Sequence, residues 1–105
     1  MIDRVLVADD EESLRTVLGM LLRREGYEVT TVEDGFQALE ALESSSYSIL
    51  LTDLRMPNLD GMSLLRRVVQ RWPQMPVIIL TAHGNVDTAV EALKVGAFDF
   101  IAKGC

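Results

Sequence analysis

LLTDLRMP, residues 50–57, is the stretch that decides the fold of this chain of 105 residues. Its apolar start predicts a strand of a parallel sheet, because such strands are buried on both faces and read as continuous hydrophobic runs. Pro57 and Gly61 then predict a turn, so the strand presents one carboxylate, Asp53, at its carboxyl end. A carboxylate in that position can cap a loop, ligate a metal or act as a nucleophile that accepts a phosphoryl group.

Short apolar runs alternate with helical patterns along the rest of the chain. Strands are predicted at residues 5–8, 27–32, 48–52, 77–80 and 98–102. Helices are predicted at 13–24 and after the capping residues Asp34, Asp60 and Asn85, with stop signals at Gly26, Pro73 and Gly96. This alternation predicts a parallel sheet wound by right-handed crossovers, with helices on both faces.

Each predicted helix carries an apolar stripe at helical spacing, which is typical of a helix with one buried face. The stripe residues are Leu14, Val17, Leu18, Leu21 and Leu22 in the first helix, Ala38, Leu39 and Leu42 in the second, Leu65, Val68, Val69 and Trp72 in the third, and Val86, Ala89, Val90 and Leu93 in the fourth.

Composition indicates one domain over residues 1–105, with the 49% hydrophobic and 25% charged residues of an ordinary globular protein. The net charge of −6 argues against nucleic acid binding, since phosphate groups require a basic face. The apolar runs are too short to cross a membrane, and no signal peptide precedes the acidic residues 9–12, so a cytoplasmic location is expected. The one cysteine, Cys105, excludes an internal disulfide and leaves a free thiol or an intermolecular bridge, and it is expected to be inert.

The predicted strands end in residues that carry chemistry. Asp9 and Asp10 follow the first strand, Asp53 the third, Thr81 the fourth and Lys103 the fifth, and these ends meet at one edge of a parallel sheet. Three converging carboxylates repel one another, and a divalent cation relieves that repulsion. Oxygen ligands alone favour Mg²⁺ or Mn²⁺. The ammonium and hydroxyl groups can bind the remaining oxygens of a phosphoryl group, so the set predicts a cradle for phosphoryl transfer to Asp53.

Over residues 3–103 the chain resembles the receiver domains of bacterial two-component response regulators. The resemblance rests on Asp9-Asp10, on Asp53 with Met56-Pro57 and Asp60-Gly61, on Thr81-Ala82 and on Phe100-Ile101-Ala102-Lys103. It implies a flavodoxin-like (CheY-like) doubly wound parallel sheet with strand order 2-1-3-4-5. The segments 85–92 and 96–100 are most similar to receivers attached to transcriptional activators, which implies a role in transcription regulation.

The resemblance assigns roles to individual residues. It implies that Asp53 is the phosphoacceptor, that Asp10 is a direct Mg²⁺ ligand, and that Asp9 binds the metal through water. It also implies that Asp53 and the backbone carbonyl of Arg55 complete the metal shell, and that Thr81 and Lys103 belong to the catalytic set.

The resemblance also implies a switch. Thr81 moves its hydroxyl onto the aspartyl phosphate, and Phe100 turns into the space that Thr81 leaves, which changes a signalling surface around helix 4 and strand 5. The implied partners are a sensor histidine kinase and a second copy of the chain. The domain is expected to catalyse only its own phosphorylation and dephosphorylation.

Two departures from the family stand at the end of the sequence. Gly104 follows Lys103 where receivers usually have proline, which removes a pre-set turn. A fifth helix, which normally covers the sheet beside the first helix, is absent from residues 1–105. We therefore expect apolar residues of strands one, three, four and five to be open to water. The chain should then self-associate through this uncovered sheet face or lose stability. A homodimer through helix 4 and strand 5 is a separate expectation.

Three other functions compete with the receiver interpretation. A haloacid-dehalogenase-like phosphatase needs a second carboxylate two residues after its nucleophile, where this chain has Arg55. A flavodoxin-like cofactor binder needs a glycine- or hydroxyl-rich loop after strand one, where this chain is acidic. An interaction or dimerisation module, whose truncation impairs phosphorylation switching, is the alternative that shares the fold.

Overall fold

The computed structural model describes residues 2–82 and 86–103, and the predicted capping residue Asn85, Gly104 and Cys105 lie outside the described residues, as does the side chain of Val86. The five strands are β1 (Arg4–Ala8), β2 (Glu28–Val32), β3 (Ile49–Asp53), β4 (Val77–Thr81) and β5 (Asp99–Ala102). All neighbours pair in parallel, in the order β2-β1-β3-β4-β5. The predicted sheet and strand order are therefore confirmed, and each strand boundary lies within one residue of its prediction.

Four helices connect the strands in the described part of the chain: α1 (Glu12–Arg24), α2 (Gly35–Ser44), α3 (Gly61–Arg71) and α4 (Val86–Val95). Asp34 and Asp60 cap α2 and α3 as predicted, because each side chain accepts a hydrogen bond from a backbone N–H of the first turn. Gly26 and Gly96 follow α1 and α4 with φ values of 97° and 142°, which L-residues with side chains rarely adopt.

The larger part of the core lies between the sheet and helices α2, α3 and α4. Alternate residues of the central strands, such as Leu6, Leu50 and Ile79, are completely buried there. The prediction for α4 was wrong at one residue, since Val90 is 41% exposed while Ala89 and Ala92 are buried. Small side chains therefore face the sheet from α4, which brings the helix close to it.

The opposite sheet face packs against α1 alone within the described residues. Val5, Val7, Leu51 and Leu80 are all at most 8% exposed beneath Leu18 and Leu22 of α1. The expectation that strands one and three would be open to water was therefore wrong, because one helix and the neighbouring side chains suffice to cover the middle of the sheet.

Exposure on this face is confined to its border. Ile101 of β5, which pairs in register with Leu80, is 52% exposed, and Ile78 of β4 is half-buried. Val17 and Leu21 of the predicted α1 stripe are 51% and 48% exposed. The uncovered sheet face is thus limited to the exposed and half-buried residues of β4 and β5 and to one side of α1. None of the described helices is long and apolar enough to span a bilayer.

Candidate functional site

The carboxyl edge of the sheet brings the predicted site residues together. Asp9 and Asp10 directly follow β1, Asp53 is the last residue of β3, Thr81 is the last residue of β4, and Lys103 directly follows β5. The strand pairing continues into the site, because the Lys103 N–H donates to the Thr81 carbonyl over 2.7 Å. Parallel strands that end at the same level therefore place residues from four segments in one cluster.

Three carboxylates form the centre of this cluster. One oxygen each from Asp9, Asp10 and Asp53 can be chosen so that all three lie within 4.8 Å of one another. Asp9 is completely buried and Asp53 is 7% exposed, whereas Asp10 faces solvent. Such close like charges repel strongly where water cannot screen them.

Lys103 is the cation that faces two of these carboxylates. Its Nζ donates a hydrogen bond to Asp53 Oδ2 over 2.7 Å and lies 2.9 Å from Asp9 Oδ2. Burial lowers the pKa of Lys103, but the hydrogen bonds and charges of the two carboxylates outweigh burial and raise that pKa above its ordinary value. The ammonium therefore stays protonated throughout the physiological range.

Asp9 is the least well compensated group in the site. Its Oδ1 accepts a hydrogen bond from the Glu11 N–H over 2.8 Å. Its buried Oδ2 accepts no well-directed hydrogen bond from the described residues. Its contact with Lys103 is therefore an ion pair without good hydrogen-bond geometry. Burial raises the pKa of Asp9, with the nearby Asp53 acting in the same direction, although the Glu11 N–H and Lys103 oppose the shift.

This arrangement fits a divalent metal ion. The buried Asp9 Oδ2 shares the Lys103 ammonium with Asp53 and accepts no well-directed hydrogen bond, and bound Mg²⁺ or Mn²⁺ would offset the cost of burying its charge. The three carboxylates supply oxygen donors only, which is the ligand chemistry that these hard cations prefer. One positive charge on Lys103 also leaves the three carboxylates with an excess of negative charge.

Backbone groups fix the orientation of Asp53. Its Oδ1 accepts hydrogen bonds from the N–H groups of Leu54 over 2.7 Å and of Arg55 over 3.3 Å. The turn then closes through a hydrogen bond of 2.9 Å from the Gly61 N–H to the Leu54 carbonyl. A Cβ atom at Gly61 would lie 2.0 Å from the Asp53 carbonyl oxygen, so only glycine fits at this position.

Comparison with known proteins decides the family. A family model described as the response regulator receiver domain matches residues 5–105. The chain belongs to this receiver family. It is 48% identical over 99 residues to the DNA-binding transcriptional regulator NtrC of Escherichia coli K12, covering 94% of this chain and 21% of NtrC. The receiver thus spans about a fifth of the length of the curated relatives that it matches.

Solved receiver structures share the fold throughout. A receiver domain protein from Clostridium thermocellum superimposes with a TM-score of 0.92 at 37% identity, over 99% of this chain and 84% of that one. NtrX from Brucella abortus superimposes with a TM-score of 0.95 at 36% identity, over 100% of this chain and 24% of NtrX. The resemblance stated from sequence motifs, to receivers of transcriptional activators, is confirmed by these relatives.

The two predicted switch residues of the receiver lie on one face of the sheet. Thr81 is 3% exposed, and no hydrogen bond joins its hydroxyl to Asp53 in the part of the chain that the structure covers. Phe100 pairs in register with Ile79 and packs, half-buried, against the main core. Thr81 thus ends β4 at the edge that carries the acidic cluster, whereas Phe100 lies on the neighbouring strand, and their movement on phosphorylation stays a prediction.

Three contacts around the receiver site were not predicted from the sequence. The Arg15 guanidinium donates to the Asp9 carbonyl over 2.7 Å and lies 3.4 Å from Glu33, which ties α1 to the loop before α2. The Asn58 amide donates to Asp34 over 2.7 Å. Only the capping role of Asp34 had a signal in the sequence, because the other contacts join residues that no local pattern relates.

Proposed function

We propose that residues 1–105 form a receiver that accepts a phosphoryl group on Asp53 from a phosphorylated histidine of a sensor kinase. The observation that carries this proposal is the position of Asp53 Oδ2. It lies 2.7 Å from the Lys103 ammonium, in a cluster of three carboxylates within 4.8 Å of one another. Asp9 shares the cluster and the nearby ammonium, but among the described carboxylates of the cluster it is Asp53 that accepts a well-directed hydrogen bond from Lys103.

The transfer is a displacement at phosphorus. Asp53 Oδ2 attacks the phosphorus atom, a P–O bond forms as the P–N bond to the histidine breaks, and the leaving imidazole nitrogen takes a proton from solvent. The backbone N–H groups of Leu54 and Arg55 hold Oδ1, which leaves Oδ2 as the freer oxygen. Lys103 then exchanges its carboxylate contact for an oxygen of the phosphoryl group, and the Thr81 hydroxyl supplies a further donor.

Metal binding completes the proposed site. By resemblance to the family, Asp10 and Asp53 are direct ligands of Mg²⁺, the Arg55 carbonyl is a third, and Asp9 binds through water. When bound, Mg²⁺ or Mn²⁺ offsets the negative charge that accumulates on the phosphoryl oxygens during transfer. The buried Oδ2 of Asp9 supports this assignment, because it has only an ammonium shared with Asp53 close to it and could accept a well-directed hydrogen bond from a water on the metal.

Hydrolysis of the aspartyl phosphate limits the signal. Water attacks the phosphorus of the aspartyl phosphate, the P–O bond to Asp53 breaks, and inorganic phosphate leaves as the carboxylate is restored. We propose that these two reactions at its own Asp53 are all that the domain catalyses.

Phosphorylation is proposed to act on a signalling surface around α4 and β5. Movement of Thr81 toward the phosphate and of Phe100 into the vacated space would change that surface. Val90, Phe98 and Ile101 expose 41%, 73% and 52% of their surface there, which supports association with a second copy through α4 and β5 or through the border of the uncovered sheet face. Dimerisation that occurs without phosphorylation is the second candidate function, and in that case Asp53 would not be needed.

The output is proposed to be control of transcription by a separate part of the protein. NtrC is described as a DNA-binding transcriptional regulator and is about five times as long as this domain. The net charge of −6 makes the receiver itself unsuited to phosphate contacts with DNA.

Incubation with acetyl phosphate and Mg²⁺, followed by intact-mass measurement, tests the proposal. The parent chain should gain the mass of one phosphoryl group, and Asp53→Asn should not. Glu91→Gln, which removes an exposed carboxylate on α4, is the matched control and should be modified like the parent. Modification of Asp53→Asn at the parent rate would show that another residue is the acceptor.

A further inference from the structure

Asp34 uses both of its carboxylate oxygens, although a helix cap requires only one. Oδ1 accepts from the Gln37 N–H over 2.8 Å, which is the cap of α2. Oδ2 accepts from the Asn58 side-chain amide over 2.7 Å. The residue is only 7% exposed, and no salt bridge involves it within residues 2–82 and 86–103. The second contact therefore joins α2 to a distant loop.

That loop is residues 54–60, which directly follow Asp53. Asn58 has a φ of 67°, which makes it the one described residue other than glycine in the left-handed region. The Leu59 carbonyl accepts a hydrogen bond from the Gly35 N–H over 3.1 Å, and a Cβ atom at Gly35 would lie 2.5 Å from that carbonyl. The loop is thus held tightly against the first turn of α2 by one side-chain and one backbone hydrogen bond.

We propose that Asp34 and Asn58 are positioning residues for phosphoryl acceptance, which fix the 54–60 loop against α2 and so hold Arg55 and Asp53 in the geometry that binds the divalent cation. The inference rests on the proposed function. Its physical basis is that the cation needs ligands from several segments at once, and the 54–60 loop carries Arg55, whose carbonyl is a ligand in the proposed site. Without the hydrogen bond between Asn58 and Asp34, the 54–60 loop can adopt other positions. Part of the free energy of cation binding must then be used to fix the loop in the binding geometry.

Two substitutions separate this role from helix capping. Asn58→Gly removes the amide while keeping a residue that adopts positive φ without strain. Asp34→Ser keeps an oxygen that can cap α2 but does not reach Asn58. Asp34→Asn is the conservative rescue, since its Oδ1 still caps the helix and its amide can donate to Asn58 after that side chain turns by half a revolution.

The experiment titrates Mn²⁺ into each variant and follows the free ion by electron paramagnetic resonance, with acetyl phosphate labelling alongside. Asn58→Gly and Asp34→Ser should each weaken Mn²⁺ binding about tenfold, in the range known for outer-shell partners of metal ligands. The double variant should bind no more weakly than either single variant, because each single substitution already removes the same hydrogen bond between Asp34 and Asn58. Asp34→Asn should bind within about twofold of the parent, since the contact is restored.

The outcomes distinguish this inference from the proposed function. Parent-like Mn²⁺ affinity in Asn58→Gly, or additive losses in the double variant, would overturn the positioning role even if stability falls. A parent chain that binds Mn²⁺ but takes no phosphoryl group would refute the proposed function, and the titrations would still judge the positioning role. A parent chain that does not bind Mn²⁺ would refute both.

Discussion

Replacing Gly61 by alanine should disturb the end of β3 and the 54–60 loop more than alanine at any other glycine that the structure describes. The new Cβ would lie 2.0 Å from the Asp53 carbonyl oxygen, 2.7 Å from the Leu54 Cα and 2.9 Å from the Asp53 carbonyl carbon. All three atoms belong to the backbone at the end of β3, so no side chain can rotate away. The Asp53 carbonyl and residue 61 must separate by about 1 Å to reach even the shortest contact of 3.0 Å that real Cβ atoms show.

The expected magnitude follows from that displacement. Overpacking of this kind costs about 1–3 kcal/mol, and the upper half of the range applies because the backbone must move. With a urea m-value of about 2 kcal/mol per molar, the unfolding midpoint should fall by about 1 M. A shift of about 1 Å at the nucleophile should also slow phosphorylation by acetyl phosphate by about tenfold to a hundredfold.

Gly19→Ala is the matched control for this substitution. Its Cβ would meet only the tip of the flexible Arg23 side chain, at 2.9 Å, in the middle of α1. Alanine is favoured over glycine inside a helix by about 0.5–1 kcal/mol, so the midpoint should stay level or rise. Unfolding can be followed by fluorescence of Trp72, the single tryptophan, and phosphorylation by intact mass. If Gly61→Ala is phosphorylated at the parent rate in buffer where it is fully folded, the link between this contact and Asp53 is wrong.

Three further predictions address the charge and the uncovered face of the domain. Without metal, Asp10→Asn should raise the urea midpoint, because it relieves repulsion among the three carboxylates, and should abolish the dependence of that midpoint on Mg²⁺; a lower midpoint would contradict this view of the site. The Gln37 N–H and the Asn58 amide lower the pKa of Asp34 below its ordinary value of 3.8, so its contribution to stability is complete above that pH and is lost as the pH falls through the native pKa. Acid unfolding measured by circular dichroism should therefore be less steep in Asp34→Asn than in the parent, and identical curves would argue against the assignment. The double substitution Leu21→Gln and Ile101→Thr should reduce the concentration-dependent association expected from the uncovered sheet face. Sedimentation velocity measures this association. A parent chain that stays monomeric at high micromolar concentration would show that the exposed face does not drive association.

Local sequence signals determined most of the architecture. Apolar runs and helical spacing fixed the type and order of the elements, and Asp34, Asp60, Gly26 and Gly96 marked helix ends through caps that depend on neighbouring residues only. Because parallel strands end at one edge, the same reading also predicted which side chains would meet there. Such signals depend on residues a few positions apart, and for this reason they can be recognised in the sequence alone.

The sequence alone was less successful where burial depends on what lies opposite. Val90, Val17 and Leu21 fit an apolar stripe, yet they are exposed because the described residues bring nothing to cover them. Conversely, α1 and its neighbours cover strands one and three without a second helix, which the helix count had not predicted. Helical periodicity identifies the face of a helix that can be buried, whereas the packing of the whole chain determines how much of it is.

Tertiary structure alone decided the pairings that shape the site. Lys103 reaches Asp53 across 50 residues of sequence, and Asn58 reaches Asp34 across 24. The contact between Lys103 and Asp53 was expected, because both residues lie at the ends of parallel strands. Its geometry was not expected, because the Lys103 ammonium also faces Asp9. That sharing depends on side-chain directions, which sequence periodicity does not encode. The contact between Asp34 and Asn58 depends on a left-handed residue within a loop, and the path of such a loop is fixed only when the elements at its two ends are packed.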